Sequence, residues 1–148
     1  MDGDDLKTAL DKSCNTLIAN PHAGETLEAI RKATQLASDP NISACPETVE
    51  KLGGGWVGEE ALAISIYCSL VAKEDFARGV LLAVNHSGDS DSTGAITGNI
   101  LGALLGSQQL PLKWLNQLEL RDVIERVATD LFIGFSPQRQ WTDSYPGY

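Results

Sequence analysis

The sequence predicts an all-α protein, a multi-helix orthogonal bundle. Apolar residues recur at intervals of three or four along most of the 148 residues, which is the spacing that places them on one face of a helix. No segment shows the alternation of apolar and polar residues that is typical of a half-buried strand. Glycine or proline separates the periodic segments at short intervals, so helix is expected to follow helix through short connections.

Two helices are predicted at the start of the chain. The first spans residues 4–19, with acidic residues at its positive N-terminal end, and the second spans residues 25–37. Pro21 and Pro40 follow them. Helical geometry is disfavoured at the residue before a proline, so each helix is expected to end there. A short helical turn is expected over residues 48–52. The side chains predicted to face inward are Leu6, Leu10, Leu17 and Ile18 in the first helix and Leu27, Ile30, Ala33 and Leu36 in the second.

Three consecutive glycines, Gly53, Gly54 and Gly55, separate this region from the rest of the chain. Each would cost about 1 kcal/mol in a helix interior, so they predict a loop whose backbone can approach another group closely. Trp56 follows them, and two glutamates then open a helix at its positive end. That helix, over residues 61–72, is apolar nearly all round, a pattern typical of a central, buried helix.

Three further helices are predicted over residues 74–84, 92–106 and 118–135, followed by an irregular tail at 136–148. The second of them carries a glycine at every fourth position, which would let a neighbouring helix pack unusually close. These glycines are Gly94, Gly98, Gly102 and Gly106. The side chains predicted to face inward are Phe76, Val80, Leu81 and Val84 in the first helix and Leu120, Val123, Ile124, Val127, Leu131 and Phe132 in the last.

Length and composition predict one domain over residues 1–148, with its central motifs at 53–107. The formal net charge is −9, from 20 acidic and 11 basic residues, and such a surface repels phosphate backbones, so no nucleic-acid partner is expected. The acidic start does not resemble a secretory leader. The longest apolar stretch, near 94–106, falls short of the ~20 residues needed to span a bilayer. A cytoplasmic protein that spans no membrane is therefore predicted.

The three cysteines, Cys14, Cys45 and Cys68, fit no zinc-binding spacing. An odd number of widely spaced cysteines predicts free thiols, as expected in a reducing compartment.

The chemically suggestive segment is Asn85-His-Ser-Gly-Asp-Ser-Asp-Ser-Thr-Gly94, where a loop meets the start of a helix. Asp89, Asp91 and Ser92 supply two carboxylates and a hydroxyl within four residues, and Mg²⁺ prefers such oxygen ligands. Asp and Ser are also common helix N-caps. A cap needs only one oxygen, however, and a second nearby carboxylate adds repulsion that a cation would relieve.

Two other motifs share part of this pattern. An EF-hand loop that began at Asp89 would need glutamate at its twelfth position, where this chain has Ile100, so that reading fails. A haloacid-dehalogenase-type phosphatase also uses Asp-x-Asp-x-Thr, which Asp89, Asp91 and Thr93 match. That family places the motif after a buried strand, whereas a helical pattern precedes it here. The phosphatase stays as an alternative.

A longer match resembles the ADP-ribosylglycohydrolase family, which includes the dinitrogenase-reductase-activating glycohydrolase. Residues 83–106 are similar to its C-terminal metal motif, approximately Gly-Gly-Asp-Thr-Asp-Thr before a glycine-rich helix. Residues 54–62 and 111–115 also resemble that family, so the likeness runs from about 50 to 132. It implies the C-terminal part of an all-α domain that removes ADP-ribose from protein side chains such as arginine or serine.

The resemblance also implies roles for individual residues. Asp89 and Asp91 stand at the family's metal-binding aspartates, and Ser92 stands where a threonine ligand is usual. In such enzymes two Mg²⁺ ions, or Mn²⁺, hold the ribose hydroxyls and help to activate water. Gly54, Gly55 and Trp56 would lie at the substrate, the glycines near the pyrophosphate and the indole stacked on adenine. A plain turn and a tryptophan packed on its own helix are the alternatives. No catalytic residue is assigned.

The family's other metal ligands lie in an N-terminal Thr-Asp-Asp-type motif and an earlier glutamate, which have no counterpart here. Three interpretations follow for a chain whose ligand is ADP-ribose or an ADP-ribosylated protein. It is part of a hydrolase and inactive or weakly active alone, or one half of a split enzyme completed by an N-terminal chain. The third interpretation is a helical module that binds ADP-ribose without catalysis.

Overall fold

Helices are the regular secondary structure of the part that the computed structural model describes, residues 3–134 and 139–146. No strand occurs among those residues, which confirms the predicted fold class. Two single 3-10 turns, Glu50–Leu52 and Ser107–Gln109, interrupt the α-helices. In chain order these are α1 Leu6–Leu17, α2 Gly24–Ser38, α3 Pro46–Val49, α4 Gly58–Ala72, α5 Phe76–Val84, α6 Ser90–Leu105, α7 Leu112–Leu115, α8 Arg121–Ile133 and α9 Arg139–Ser144. Within the described residues, none of them combines the length and the apolar character that a membrane span requires.

The chain divides into two compact units, Met1–Pro111 and Leu112–Tyr148, and the one domain expected from the sequence stays a prediction. The first unit holds α1 to α6 and the second holds α7 to α9. The predicted central motifs at 53–107 fall in the first unit.

Helix α4 is the centre of the first unit. Its first turn carries Glu59 and Glu60 at the positive end of the helix, and nine of its residues are buried. The helices α2, α5 and α6 pack around it, which is why it is apolar on every side. The largest of its fully buried side chains are Tyr67, Ile64 and Cys68. The prediction of a central helix over 61–72 is therefore confirmed.

Helices α5 and α6 approach each other closely at glycines. A Cβ on Gly94 would lie 2.5 Å from Cγ1 of Val84, and one on Gly79 would overlap the side chain of Leu101. The glycine stripe of α6 is only partly used in this contact. Gly102 has no such neighbour within 4 Å, and Gly106 ends the helix with φ +78°.

Aspartates cap three of these helices. The side chain of Asp5 accepts a hydrogen bond from the Thr8 N–H at 2.7 Å, and Asp75 accepts from the Arg78 N–H at 3.0 Å. Asp89 does the same for α6. Each carboxylate satisfies a backbone donor that the helix itself leaves unpaired.

The predicted inward faces are wrong at several positions. The six residues predicted to point inward from the last helix are exposed instead: Leu120, Val123, Ile124, Val127, Leu131 and Phe132. Among the described residues, no neighbouring side chain buries this face. Leu81 is half exposed because it lies on the outer side of α5, and Ile18 is exposed because α1 ends one residue before it.

The last predicted helix and the tail also differ from expectation. Helix α8 begins at Arg121 because Leu120 has a positive φ of +56°, which interrupts a helix starting at 118. Where an irregular tail was predicted, Arg139–Ser144 forms α9. The Tyr145 hydroxyl donates a hydrogen bond of 2.7 Å to the Asp130 carboxylate, which ties this segment to α8. Residues 136–138, 147 and 148 of the predicted tail lie outside the described residues.

Candidate functional site

The three predicted metal ligands lie together at the N-terminus of α6. Asp89 is the N-cap, and its Oδ1 accepts a hydrogen bond from the Ser92 N–H at 3.3 Å. Asp91 and Ser92 lie in the first turn, where Asp91 is exposed and Ser92 is half-buried. Both predicted roles of Asp89 are therefore compatible, because the cap uses Oδ1 and leaves Oδ2 without that bond.

The surroundings favour the charged form of Asp89. The side chain of Asp91, then the hydroxyl and N–H of Ser92, hold the pKa of the Asp89 carboxyl below its ordinary value. The N-terminal end of a helix also favours negative charge. Asp89 is therefore a carboxylate at neutral pH, which is the form that binds a hard cation.

The glycine loop, residues 53–55, contacts the aspartate loop, residues 85–89, although Gly54 and Asp89 are more than 30 residues apart in sequence. The Asp89 N–H donates a hydrogen bond of 2.8 Å to the Gly54 carbonyl oxygen. A Cβ on Gly88 would overlap that same oxygen. Gly55 has φ +77°, and a Cβ there would lie 3.5 Å from the Cβ of Asp89. The structure thus brings the predicted substrate-binding and metal-binding segments into one site.

Two glutamates that the sequence analysis did not assign hold this site. Glu60 Oε2 accepts hydrogen bonds from the N–H groups of Gly54 at 3.0 Å and Gly55 at 3.1 Å. Glu50 Oε1 accepts from the Ser87 N–H at 3.1 Å. The two N–H groups proposed for a pyrophosphate are thus already bonded within the chain. The only sequence feature that could have predicted this role of Glu60 is its position shortly after the glycines. That position indicated only an acidic residue at a helix N-terminus.

Trp56 extends into solvent beside the glycine loop. Its side chain is 73% exposed, and its indole nitrogen would lie 2.7 Å from a Cβ on Gly54. The edge of the ring therefore occupies the space that the missing side chain leaves. An exposed indole on a fixed loop offers a flat surface on which a base can stack.

His86 shapes the aspartate loop from inside. Its Nδ1 accepts a hydrogen bond from the Gly88 N–H at 3.1 Å. The ring proton therefore sits on Nε2, which donates to the Thr93 hydroxyl at 3.0 Å. That hydroxyl in turn donates to the Ala83 carbonyl at 2.7 Å. Both ring nitrogens of this buried histidine are engaged, which gives it a structural role.

The donor set fits a hard cation in kind but is small in number. Asp89, Asp91 and Ser92 offer only oxygen atoms, as Mg²⁺ requires. Among residues 3–134 and 139–146, no three or more His, Cys, Asp or Glu side chains are grouped so that they could hold a metal. The predicted ligand set in the described residues is therefore limited to two carboxylates and one hydroxyl.

Comparison with known proteins gives a consistent result. The sequence model of the ADP-ribosylglycohydrolase family matches residues 1–140. An uncharacterized protein of Archaeoglobus fulgidus is 36% identical over 105 residues, which cover 71% of this chain and 32% of that protein. An ADP-ribosylarginine hydrolase of Serratia proteamaculans is 41% identical over 59 residues, 40% of this chain and 16% of that protein. An ADP-ribosyl dinitrogen reductase glycohydrolase of Rhodospirillum rubrum is 35% identical over 48 residues, 32% of this chain and 16% of that protein.

The chain thus spans a third or less of the length of these three relatives. No solved structure matches it significantly.

Proposed function

The chain belongs to the ADP-ribosylglycohydrolase family, and on this premise we propose that it forms one side of a Mg²⁺-dependent site. That site hydrolyses the glycosidic bond between ADP-ribose and a protein side chain. The observation that carries the proposal is the contact of the two loops at the start of α6. There the backbone of Asp89, whose carboxylate is a proposed ligand, is joined to the glycine loop before Trp56. The bond is a hydrogen bond of 2.8 Å from the Asp89 N–H to the Gly54 carbonyl oxygen.

In this proposal Asp89, Asp91 and Ser92 bind the metal. When bound, Mg²⁺ supplies Lewis-acid chemistry at the ribose hydroxyls and at the attacking water, and Mn²⁺ accepts the same oxygen ligands. Asp89 contributes a carboxylate whose pKa is held low by its neighbours, so the ligand needs no deprotonation at neutral pH. The exposed face of Trp56 stacks on the adenine ring.

Further ligands come from a complementary segment or partner chain. The support is the family resemblance, which places the other metal ligands in an N-terminal part of the family domain, and the chain spans a third or less of the length of three relatives. The net charge of −9 supports the proposed metal ions themselves. An acidic chain repels a pyrophosphate unless cations neutralise the site.

The alternative phosphatase needs a buried strand directly before Asp89. Among the described residues that position is taken by α5, Phe76–Val84, and the short loop after it. The structural context that the phosphatase motif requires is therefore missing.

The test is a calorimetric titration of the purified chain with ADP-ribose, in the presence and absence of Mg²⁺. It compares the wild type with an Asp89→Asn/Asp91→Asn variant, which keeps the size of both side chains and removes their charge. Asp75→Asn is the matched control because Asp75 caps α5 in the same way, outside the site.

Metal-dependent binding that is lost in the double variant and kept in Asp75→Asn is the expected result. Binding that is equal with and without Mg²⁺ would instead favour the non-catalytic module. If the folded chain does not bind, it does not form the site without a partner. Hydrolysis by this chain together with a complementary partner chain would then decide the activity.

A further inference from the structure

We propose that Glu60 is a positioning residue that fixes the backbone of the aspartate loop through a single peptide group. The inference rests on the proposed function only in calling that loop a metal site. The hydrogen bonds that carry it lie entirely within the first unit of the chain. They connect Glu60 of α4 to Asp89 at the start of α6. The connection is indirect and runs through the backbone of the glycine loop.

The connection runs through the peptide unit between Gly54 and Gly55. Its N–H, on Gly55, donates to Glu60 Oε2 at 3.1 Å, and its carbonyl oxygen, on Gly54, accepts from the Asp89 N–H at 2.8 Å. The peptide is trans and planar, so its N–H and its carbonyl point in opposite directions. Rotating the unit to break one of these bonds would misalign the other.

Glycine on both sides makes this peptide otherwise easy to rotate. The flanking residues are Gly54 and Gly55, and Gly55 has a φ of +77°. Gly53, one residue earlier, has a φ of +119°, and residues other than glycine rarely adopt either value. A Cβ on Gly53 would overlap the carboxyl carbon of Glu60. The glycine at 53 thus lets the carboxylate lie directly against the loop. The side chain of Glu60 then supplies the rigidity that the glycine backbone lacks.

Glu60 is well suited to this task because its one oxygen accepts two bonds. Oε2 also receives the Gly54 N–H at 3.0 Å, so two successive peptides are held by one atom. Hydrogen bonds to a carboxylate are stronger than those between neutral groups. They also polarise the peptide, which strengthens the bond that its carbonyl accepts from Asp89.

The aspartate loop therefore has two anchors of different kinds. Glu50 holds the Ser87 N–H directly at 3.1 Å, while Glu60 holds the Asp89 N–H through the intervening peptide. Asp89 carries both the anchored N–H and the carboxylate ligand. Loosening the Glu60 anchor thus changes the position of the ligand residue itself. Partners that orient a metal's ligands in this way commonly govern its affinity.

Two substitutions separate positioning from a general effect of charge at the start of α4. Glu60→Asp keeps the charge but shortens the side chain by one methylene, so it cannot reach both N–H groups. Glu60→Gln keeps the reach and an oxygen acceptor but removes the charge. Glu59→Asp is the control, because Glu59 lies in the same first turn and makes none of these bonds.

The measurement is amide hydrogen exchange of the full chain without metal, followed by NMR. We expect the Asp89 and Gly55 amides to exchange about tenfold or more faster in Glu60→Asp. In Glu60→Gln the geometry is kept but each bond loses its charge, so exchange should be faster than in wild type by a smaller factor than in Glu60→Asp. In Glu59→Asp exchange should stay close to wild type. A role limited to charge would produce the reverse order for the two Glu60 variants. That order, or unchanged Asp89 exchange in a folded Glu60→Asp chain, would overturn the proposal.

A parallel titration with Mg²⁺ and ADP-ribose separates this inference from the proposed function. If the wild type binds, Glu60→Asp should weaken binding and Glu60→Gln should largely retain it. If the wild type does not bind while the exchange pattern is as expected, the metal-site proposal fails and the positioning role of Glu60 stands.

Discussion

Gly88 shows at the scale of one residue how the candidate site depends on an absent side chain. A Cβ there would overlap the Gly54 carbonyl oxygen, which is backbone and cannot move aside without the whole loop. We expect Gly88→Ala to lower the free energy of unfolding by about 1–3 kcal/mol, the usual cost of overpacking. Chemical denaturation measures this.

Gly102→Ala is the control for that substitution. No side chain or foreign backbone lies within 4 Å of a Cβ at Gly102, and the residue is inside α6. We expect it to stabilise the chain by up to about 1 kcal/mol through helix propensity. Equal effects of the two substitutions would mean that the loops do not touch as described.

Thr93 is the second residue on which the loop depends. Its buried hydroxyl joins His86 Nε2 at 3.0 Å and the Ala83 carbonyl at 2.7 Å. Thr93→Val preserves the shape and leaves a buried donor without its partner, so we expect a loss of about 1–3 kcal/mol of unfolding free energy. Thr97→Val should cost less, because the Thr97 hydroxyl bonds only to the carbonyl one turn earlier in its own helix. A smaller effect at Thr93 than at Thr97 would contradict the network.

Cys68 gives the stability a predictable dependence on alkaline pH. Burial raises the pKa of its thiol from 9.0 to about 12. Between these values the unfolded chain loses a proton that the folded chain keeps. Stability should therefore fall by up to about 1.4 kcal/mol per pH unit as pH rises from about 9 towards 12. Urea denaturation at pH 8 and pH 10 tests this, and Cys68→Ala should show a smaller decrease. An identical decrease in that variant would exclude Cys68 as its source.

At the scale of elements, α8 differs most from what its sequence predicts. Its apolar face is exposed, with Leu131 at 78% and Phe132 at 93%. We expect Leu131→Gln/Phe132→Gln to change the unfolding free energy by no more than about 0.5 kcal/mol, as is usual for surface positions. The same variant should reduce concentration-dependent association in sedimentation velocity, since large exposed apolar patches favour it. A marked loss of stability would show that this face is covered within the chain.

The contrast between α4 and α8 explains which elements a sequence can predict. In α4 every side is apolar, so burial follows whatever the neighbouring helices are. In α8 the spacing of the apolar residues indicates one apolar face, but it does not indicate which other element covers that face. The helix type was therefore predictable for both, while the environment was predictable only for α4.

The candidate site divides in the same way. Asp89, Asp91 and Ser92 are adjacent in sequence, so their proximity at one helix terminus could be predicted. The pairing of Gly54 with Asp89 is a long-range hydrogen bond between backbone groups, and the role of Glu60 depends on which backbone N–H its carboxylate reaches. Backbone donors and acceptors are the same in every residue, so composition and spacing do not reveal such pairs.

At the scale of the whole molecule, the buried apolar residues and the hydrogen bonds of the site all belong to the first unit, which ends at Pro111. The buried apolar residues of the described chain run from Ala23 to Leu101. Glu50, Glu60 and Asp89 also precede the end of the first unit at Pro111. We expect a chain of residues 1–111 to unfold cooperatively and to keep the Asp89 amide protected from exchange. Circular dichroism and amide exchange measure the two properties. If the shortened chain loses cooperative unfolding, the second unit stabilises the first, whereas if it stays folded but loses protection at Asp89, the second unit supports the site itself.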